Sequence, residues 1–246
     1  SLVQLESMRR SFVANVSHEL KTPMTSIGGF IDGILDGTIP PERQEYYLKL
    51  VSDEVKRLSR LVRAMLSMAK LESGEMKVNK TDFSLSEVVR TTVISFEQRI
   101  EAKRIHIEGM EDMAEIRILA DRDLVHQVVY NLVDNAVKFT EPQGFIRLTV
   151  GEDQGFALLL VRNSGEGIAA KDLPHVFDRF FKTDKSRSAD KSGTGLGLYL
   201  VKTIADIHGG GVTVRSTVGE FTEFEVRLPL EKPAALPDEM SKPYKS

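Results

Sequence analysis

The chain has 246 residues, of which 33 are Lys or Arg and 36 Asp or Glu, giving a formal net charge of -3, with 41% hydrophobic and 28% charged residues. That length suffices for one large core or two small ones, and the charge balance leaves no basic footprint for nucleic acid. The absence of cysteine excludes a disulfide framework and any thiolate metal site, and agrees with a reducing compartment. No apolar run approaches the roughly 20 residues that span a bilayer, and Ser1-Leu2-Val3 does not read as a signal peptide.

From Leu2 to about Asp36 the pattern is helical, with Phe12, Val16, Leu20, Ile27, Ile31 and Leu35 on one stripe. Inside it lies the polar heptapeptide Ser17-His18-Glu19-Leu20-Lys21-Thr22-Pro23. At about 100° per residue, His18 stands about 200° from Val16 and from Leu20, so its imidazole is expected to face solvent. Glu19 is adjacent and Thr22 is one turn on. Pro23 removes the N–H that would bond the Glu19 carbonyl, which predicts a kink just after the histidine.

Gly37-Thr38-Ile39-Pro40-Pro41 stops this helix, and a second follows in which Tyr47, Val51, Val55, Leu58, Val62, Met65 and Ala69 form a heptad-like seam. Two helices joined by a short loop predict an antiparallel hairpin. One hairpin cannot bury both stripes, so a second copy is expected to complete a four-helix bundle. The other option is that the stripes pack against the C-terminal region.

Ser73-Gly74-Glu75 ends the second helix, and Lys77 to Asp82 reads as linker. Ser84-Leu85-Ser86-Glu87 is a capping box, with Phe83 placed to staple onto Val88, and it opens a helix to about Arg104. Strands are predicted at Ile105–Ile107 and Arg117–Leu119, then a helix capped by Asp121 and running to about Phe139. Phe145–Val150 and Phe156–Val161 read as a hairpin across Glu152-Asp153-Gln154-Gly155. Helices over Ala170–Phe177 and Leu196–His208 and strands over Val212–Ser216 and Phe224–Leu228 complete an α+β sandwich with helices on one sheet face. The division expected is a hairpin over 1–72, a linker over 73–80, an α/β domain over 81–230, and a disordered tail over 231–246, rich in Pro, Lys and Glu.

On the helix from Asp121, Asn131, Asn135 and Lys138 fall within an arc of about 60°, while Val125, Val129, Leu132, Val133 and Ala136 take the opposite side. Two amides and an ammonium on one face suit Mg²⁺-bound phosphates, because Mg²⁺ keeps water and phosphate oxygens in its shell and one Asn carbonyl can suffice. Downstream, Gly193-Thr194-Gly195-Leu196-Gly197-Leu198 runs into a helix, a turn that can present N–H groups to phosphate. No strand of Rossmann type precedes it and no Gly-Lys-Ser/Thr ends it, which excludes the two common nucleotide motifs.

The heptapeptide around His18 resembles the phospho-acceptor box of bacterial sensor histidine kinases, and Asn131 to Thr140 resembles the N box of the same family. Val161-Arg162-Asn163-Ser164-Gly165-Glu166-Gly167-Ile168 stands in the place of its first glycine box, Phe177-Asp178-Arg179-Phe180-Phe181-Lys182 in that of its phenylalanine box, and Gly193 to Leu198 in that of its second glycine box. The ordered match covers about Phe12 to Leu228. It implies a helical hairpin that dimerises into a four-helix bundle, followed by an α/β-sandwich ATP-binding domain of the Bergerat or GHKL type, with Lys182 to Ser192 as a lid over ATP.

The resemblance further implies that His18 accepts the γ-phosphoryl group of ATP, in the same chain or across a homodimer, and passes it to an aspartate of a response regulator receiver domain. Glu19 would take the proton on the other ring nitrogen, and Thr22 would orient water for the reverse, phosphatase function. The implied nucleotide residues are Asn131, Asn135, Lys138, Phe139, Asn163, Gly165, Gly167, Ile168, Phe177, Lys182, Gly193, Thr194, Gly195, Leu196 and Gly197, with Asn135 and Asn131 on Mg²⁺. Membrane attachment is expected only through a sensor region upstream of Ser1, which would make this the cytoplasmic portion of a membrane-anchored bacterial receptor.

Two departures matter. Asn163 stands where the family usually has the Asp that accepts from the adenine amino group, and a neutral acceptor is the weaker one, by about 1 kcal/mol. Phe181-Lys182 replaces the more usual Tyr-Arg, keeping a cation but losing the bidentate fork. Two alternatives follow: a phosphatase-biased regulator weakened in ATP turnover by Asn163, and a GHKL ATPase without phosphohistidine. The latter needs a water-activating Glu on the N-box helix, where this chain has Gln127 and Asn131. His106, His126, His175 and His208 read as structural or surface residues, His208 as a cation at a helix end.

Overall fold

A computed structural model describes residues 2–72, 78–183 and 194–230, with side chains beginning at residue 14 in the first helix and ending at residue 70 in the second. The stop at Ser73-Gly74-Glu75, linker residues 73–77, lid residues 184–192, Gly193, the tail over 231–246 and the side chain of Phe12 lie outside the described residues. The chain divides into two compact units, residues 1–77 with 168–203 and residues 78–167 with 204–246.

In the first unit, α1 (Leu2–Leu35) and α2 (Pro41–Glu72) form the hairpin. The helix continues through Pro23, which is buried, so the expected kink does not divide the element. The turn is built as its residues dictate. Gly37 takes a φ of 78°, Asp36 accepts the Thr38 N–H at 2.9 Å, and Ile39 folds back with its N–H on the Gly33 carbonyl at 2.7 Å. The predicted seam of α2 splits in two. Tyr47, Val51, Leu58 and Met65 are half-buried, Val55 and Val62 remain exposed, and the deepest residues are Leu61 and Met68, seven apart and off that seam.

The helix predicted over Ala170–Phe177 is only a 3-10 turn, Leu173–His175. Pro174 cannot donate within a longer helix, and Val176 is the one buried apolar side chain over residues 170–177, too little to hold an amphipathic face. Helix α6 (Gly197–Ile207) follows, beginning one residue later than expected.

In the second unit, β1 (Lys80–Ser84) pairs antiparallel with β3 (Arg117–Asp121), Phe83 opposite Ile118. This corrects the linker reading of Lys77–Asp82. A strand with one apolar residue shows no alternation, and its partner defines it. The N-cap half of the capping box forms: the Ser84 hydroxyl accepts the Glu87 N–H at the start of α3 (Leu85–Ser95). The single helix predicted to Arg104 is broken at Phe96, whose ring is buried 5.0 Å from that of Tyr130, before α4 (Glu97–Lys103) resumes.

Five strands make the main sheet, in the order β2 (His106–Glu108), β4 (Phe145–Asp153), β5 (Phe156–Ser164), β7 (Phe221–Pro229), β6 (Gly211–Thr217). The β2–β4 pair is parallel and the others antiparallel. Alternation puts Leu148 beside Val161 and Val161 beside Phe224 on the buried face. Helix α5 (Arg122–Phe139) packs on β5 and α3. The expected arrangement, a helical hairpin followed by a mixed α/β domain, is the one observed.

Candidate phospho-acceptor and nucleotide site

The heptapeptide lies wholly within α1. His18 and Thr22 are exposed, and among the described residues nothing hydrogen-bonds to the His18 imidazole. The Thr22 hydroxyl turns back along the helix and donates to the His18 carbonyl at 3.2 Å. Glu19 points elsewhere. Its carboxylate is half-buried and takes Lys182 Nζ at 3.1 and 3.3 Å, with Arg57 3.5 Å away. Thus the structure brings Glu19 to Lys182, 163 residues on, rather than to its neighbour's ring.

In the same unit, Ile168 and Phe177 are half-buried and Leu196 is buried. The second glycine box is tied by its backbone to the phenylalanine box. Phe180 N–H donates to the Gly195 carbonyl at 2.9 Å, and a Cβ on Gly195, whose φ is 70°, would lie 2.7 Å from the Phe180 backbone. The Thr194 hydroxyl accepts the Leu196 N–H at 3.3 Å, just ahead of Gly197, the first residue of α6.

In the second unit, α5 presents the face its sequence promised. Asn131, Asn135 and Lys138 are half-buried, against fully buried Val125, Val129, Leu132, Val133 and Ala136. The Lys138 ammonium lies 4.8 Å from the centre of the exposed Phe139 ring. Each end of α5 also carries a partner that the sequence did not single out for this task, His208 at the start and Lys103 at the far end. At its start, the Asp121 carboxylate caps Asp123 and Leu124, and the Asp121 N–H donates to His208 Nε2 at 3.1 Å. His208 Nδ1 meets the Ile204 carbonyl at 2.7 Å, so the ring donates at one nitrogen and accepts at the other, the pattern of the neutral imidazole. The reading of His208 as a helix-end cation is thereby corrected.

At the far end of α5, Lys103 Nζ donates to the carbonyls of Val137, Lys138 and Thr140 at 2.8, 2.8 and 2.9 Å. Burial, and then the Arg99 guanidinium, hold the Lys103 ammonium below the ordinary lysine value. Sequence reading missed this residue. A lysine closing a short helix is a weak signal, and its acceptors are 34 to 37 positions away.

The first glycine box passes close to that end. A Cβ on Gly165 would lie 2.6 Å from the Phe139 carbonyl oxygen, so only glycine fits there. The loop is pinned by Gly165 N–H to the Glu220 carbonyl at 3.2 Å and by Gly219 N–H to the Glu166 carbonyl at 2.7 Å, with Gly167 following. Asn163 is buried on β5. Its Nδ2 donates to the Ser164 carbonyl at 3.0 Å, and among the described residues nothing donates to its Oδ1. That orientation leaves a carbonyl acceptor for an exocyclic amino group, which fits adenine. The Asn135 side-chain oxygen is of the hard kind that a phosphate-bound Mg²⁺ takes.

Two family models match. Residues 120–232 match the histidine kinase-, DNA gyrase B- and HSP90-like ATPase model, and residues 8–74 match the His Kinase A phospho-acceptor domain. The chain is 37% identical over 227 residues to the sensor protein SrrB of Staphylococcus aureus, covering 92% of this chain and 39% of that protein, so it spans about two fifths of that curated relative's length. It resembles the catalytic domain of histidine kinase ThkA at 31% identity and a TM-score of 0.54, over 62% of this chain and 96% of that one. It also resembles ThkA in complex with response regulator protein TrrA, at 28% identity and a TM-score of 0.74, over 93% and 64% of the respective chains.

Proposed function

The chain belongs to the histidine kinase family, and on that premise we propose that it autophosphorylates His18 from ATP and passes the phosphoryl group to an aspartate of a response regulator receiver domain. The observation that carries this reading is the exposed His18 ring, without a described partner, inside the segment that matches the phospho-acceptor domain. The attacking ring nitrogen needs a free lone pair, which the neutral form of an imidazole supplies. In the step, a nitrogen–phosphorus bond forms on His18 as the bond to the leaving ADP breaks, and Glu19 receives the proton of the other ring nitrogen. Phosphoryl transfer of this kind is mostly positioning and neutralisation of charge.

ATP supplies the phosphoryl group. Asn163 Oδ1 would accept from the adenine amino group, Asn135 and Asn131 would face Mg²⁺, and Lys138 and Lys182 would offset phosphate charge. Phe139, Gly165, Gly167, Ile168 and Phe177, with the Gly193–Gly197 turn, would complete the binding residues. The working division is a phospho-acceptor hairpin over 1–72 and an ATP-binding domain over 81–230.

Pairing into a homodimer is supported by the apolar residues that each helix leaves exposed at heptad spacing, Met24 with Ile31 on α1 and Leu48, Val55 and Val62 on α2. The partner class is supported by ThkA, whose solved complex holds a response regulator. No described helix is long and apolar enough to cross a membrane. Attachment to one would come from a sensor region upstream, as in a receptor of which this is the cytoplasmic part. Thr22 would serve dephosphorylation of the regulator.

The test is incubation with γ-labelled ATP and Mg²⁺. An acid-labile, base-stable label that His18→Gln abolishes is expected, and label that survives this substitution refutes the assignment. Asn135→Ala is expected to remove nucleotide binding and label together. The buried, neutral Asn163 favours weak ATP affinity as a second reading: undetectable ATP binding that Asn163→Asp restores would make the chain a phosphatase-biased regulator.

A further inference from the structure

Resting on the phosphotransfer reading above, we infer that Arg57 is a positioning residue for the reaction at His18: it fixes the Glu19 carboxylate and is the counter-ion that lets Lys182 leave Glu19 for phosphate. All of these residues belong to one compact unit. Glu19 follows His18 directly on α1. Its Oε1 and Oε2 lie 3.3 and 3.1 Å from Lys182 Nζ, and Oε2 is also 3.5 Å from Arg57 Nη2. Arg57 uses its other terminal nitrogen, Nη1, for Glu54 Oε2 at 3.4 Å, one turn earlier on α2. The side chains of Arg57, Lys182, Glu19 and Glu54 are 11, 15, 21 and 28% exposed, so the group is largely withdrawn from water and its formal charges cancel.

Lys182 has two demands on it. As the cation of the phenylalanine box it is needed at the γ-phosphate, and in this structure it sits on Glu19. An ammonium on a flexible stem can change partners, whereas a guanidinium held at both of its terminal nitrogens cannot follow. Withdrawing the cation from a mostly buried carboxylate leaves an uncompensated charge, the costly way to break such a pair. With Arg57 in place Glu19 keeps a positive neighbour when Lys182 moves. Without it, Glu19 has no second cation to keep when Lys182 moves, and Lys182 is retained. A purely structural tie between α1 and α2 would act on unfolding instead of on rate.

The experiment is single-turnover labelling of the native chain and of Arg57→Met, Arg57→Lys and Glu54→Gln with γ-labelled ATP and Mg²⁺, alongside ATP affinity and thermal unfolding. Arg57→Met is expected to slow labelling of His18 about tenfold, about 1.4 kcal/mol in the barrier. ATP affinity should stay within about twofold, and the slowed labelling should persist at a temperature where native and variant are both fully folded, whatever the lost cation costs the unfolding midpoint. Arg57→Lys should recover at least about half of the rate, and Glu54→Gln, which keeps the cation but frees its anchor, should lose about threefold. A labelling rate for Arg57→Met within about twofold of native overturns the inference. So does a loss that disappears where both are fully folded, one that tracks weaker ATP binding, or one that lysine does not relieve. Should Arg57→Met fail to fold, Glu54→Gln decides alone: a threefold loss supports the role and an unchanged rate overturns it. Absence of label on the native chain overturns this inference and the phosphotransfer reading together. A labelled native chain with unaffected variants overturns this inference only.

Discussion

In the five-stranded sheet, Ile146, Leu148 and Val150 on β4 and Ala157, Leu159 and Val161 on β5 are 1–4% exposed, whereas on the hairpin Met24, Ile31, Leu48, Val55 and Val62 stand 39–60% exposed. A sheet covered by helices closes its core within the chain. The hairpin leaves one apolar stripe on each helix exposed, which suits the proposed pairing with a second copy. Stability of the sheet-bearing unit is therefore a property of one chain, whereas on the proposed pairing stability of the hairpin is a property of two. The same contrast extends to the polar groups: α5 has both ends satisfied by fixed partners, while His18 and Thr22 stand on an exposed helix surface.

The sharpest way to break this contrast is to charge the hairpin seam. Val55→Glu together with Val62→Glu would place four carboxylates in the seam of a symmetric pair, each costing several kcal/mol to bury. Light scattering is expected to show a monomer, and the unfolding transition of the sheet-bearing unit should stay where it was. A dimer that persists would mean that a different face pairs. Next in size is Ile204→Ala, at a residue that is 0% exposed. Truncation there is expected to cost about 2–5 kcal/mol, read as a lowered denaturant midpoint for the sheet-bearing unit.

Lys103→Met comes third. It leaves the carbonyls of Val137, Lys138 and Thr140 without their donor, an effect of about 1–3 kcal/mol. Because those residues adjoin Lys138 and Phe139, ATP affinity is expected to fall along with stability, where Ile204→Ala should act on stability alone.

The smallest effect is a pH dependence. The Ser84 hydroxyl first, and then Arg90, hold the Glu115 carboxyl below its ordinary value of 4.5. A carboxylate with a lowered folded value contributes stability that is present above the unfolded value and lost as pH falls through the folded one. Glu115→Gln should therefore flatten the acid limb of the stability curve below about pH 4.5 and leave neutral pH nearly untouched. An unchanged acid limb would show that the Ser84 and Arg90 contacts do not persist in solution.

Much of the architecture was legible from local chemistry. The capping box at Ser84, the Asp121 cap, the polar turn ahead of Phe156 and the two faces of α5 all follow from residues within a few positions of one another. Where the reading failed, the deciding interaction was distant. The strand at Lys80–Ser84 is set by β3, the break at Phe96 accompanies its packing on Tyr130, and the helix predicted over Ala170–Phe177 lacked an apolar face to keep it.

The amino-acid sequence by itself settled which residue types stand together in order: the histidine on a polar helix face, the amides and ammonium on another, and the glycine turns between strands and helices. These are short-range facts of periodicity, capping and backbone freedom. Tertiary structure alone decided who meets whom across the chain. Lys182 reaches Glu19, Lys103 reaches the end of α5, and His208 reaches Asp121, because folding and not spacing brings charges and hydrogen-bond partners within a few ångströms.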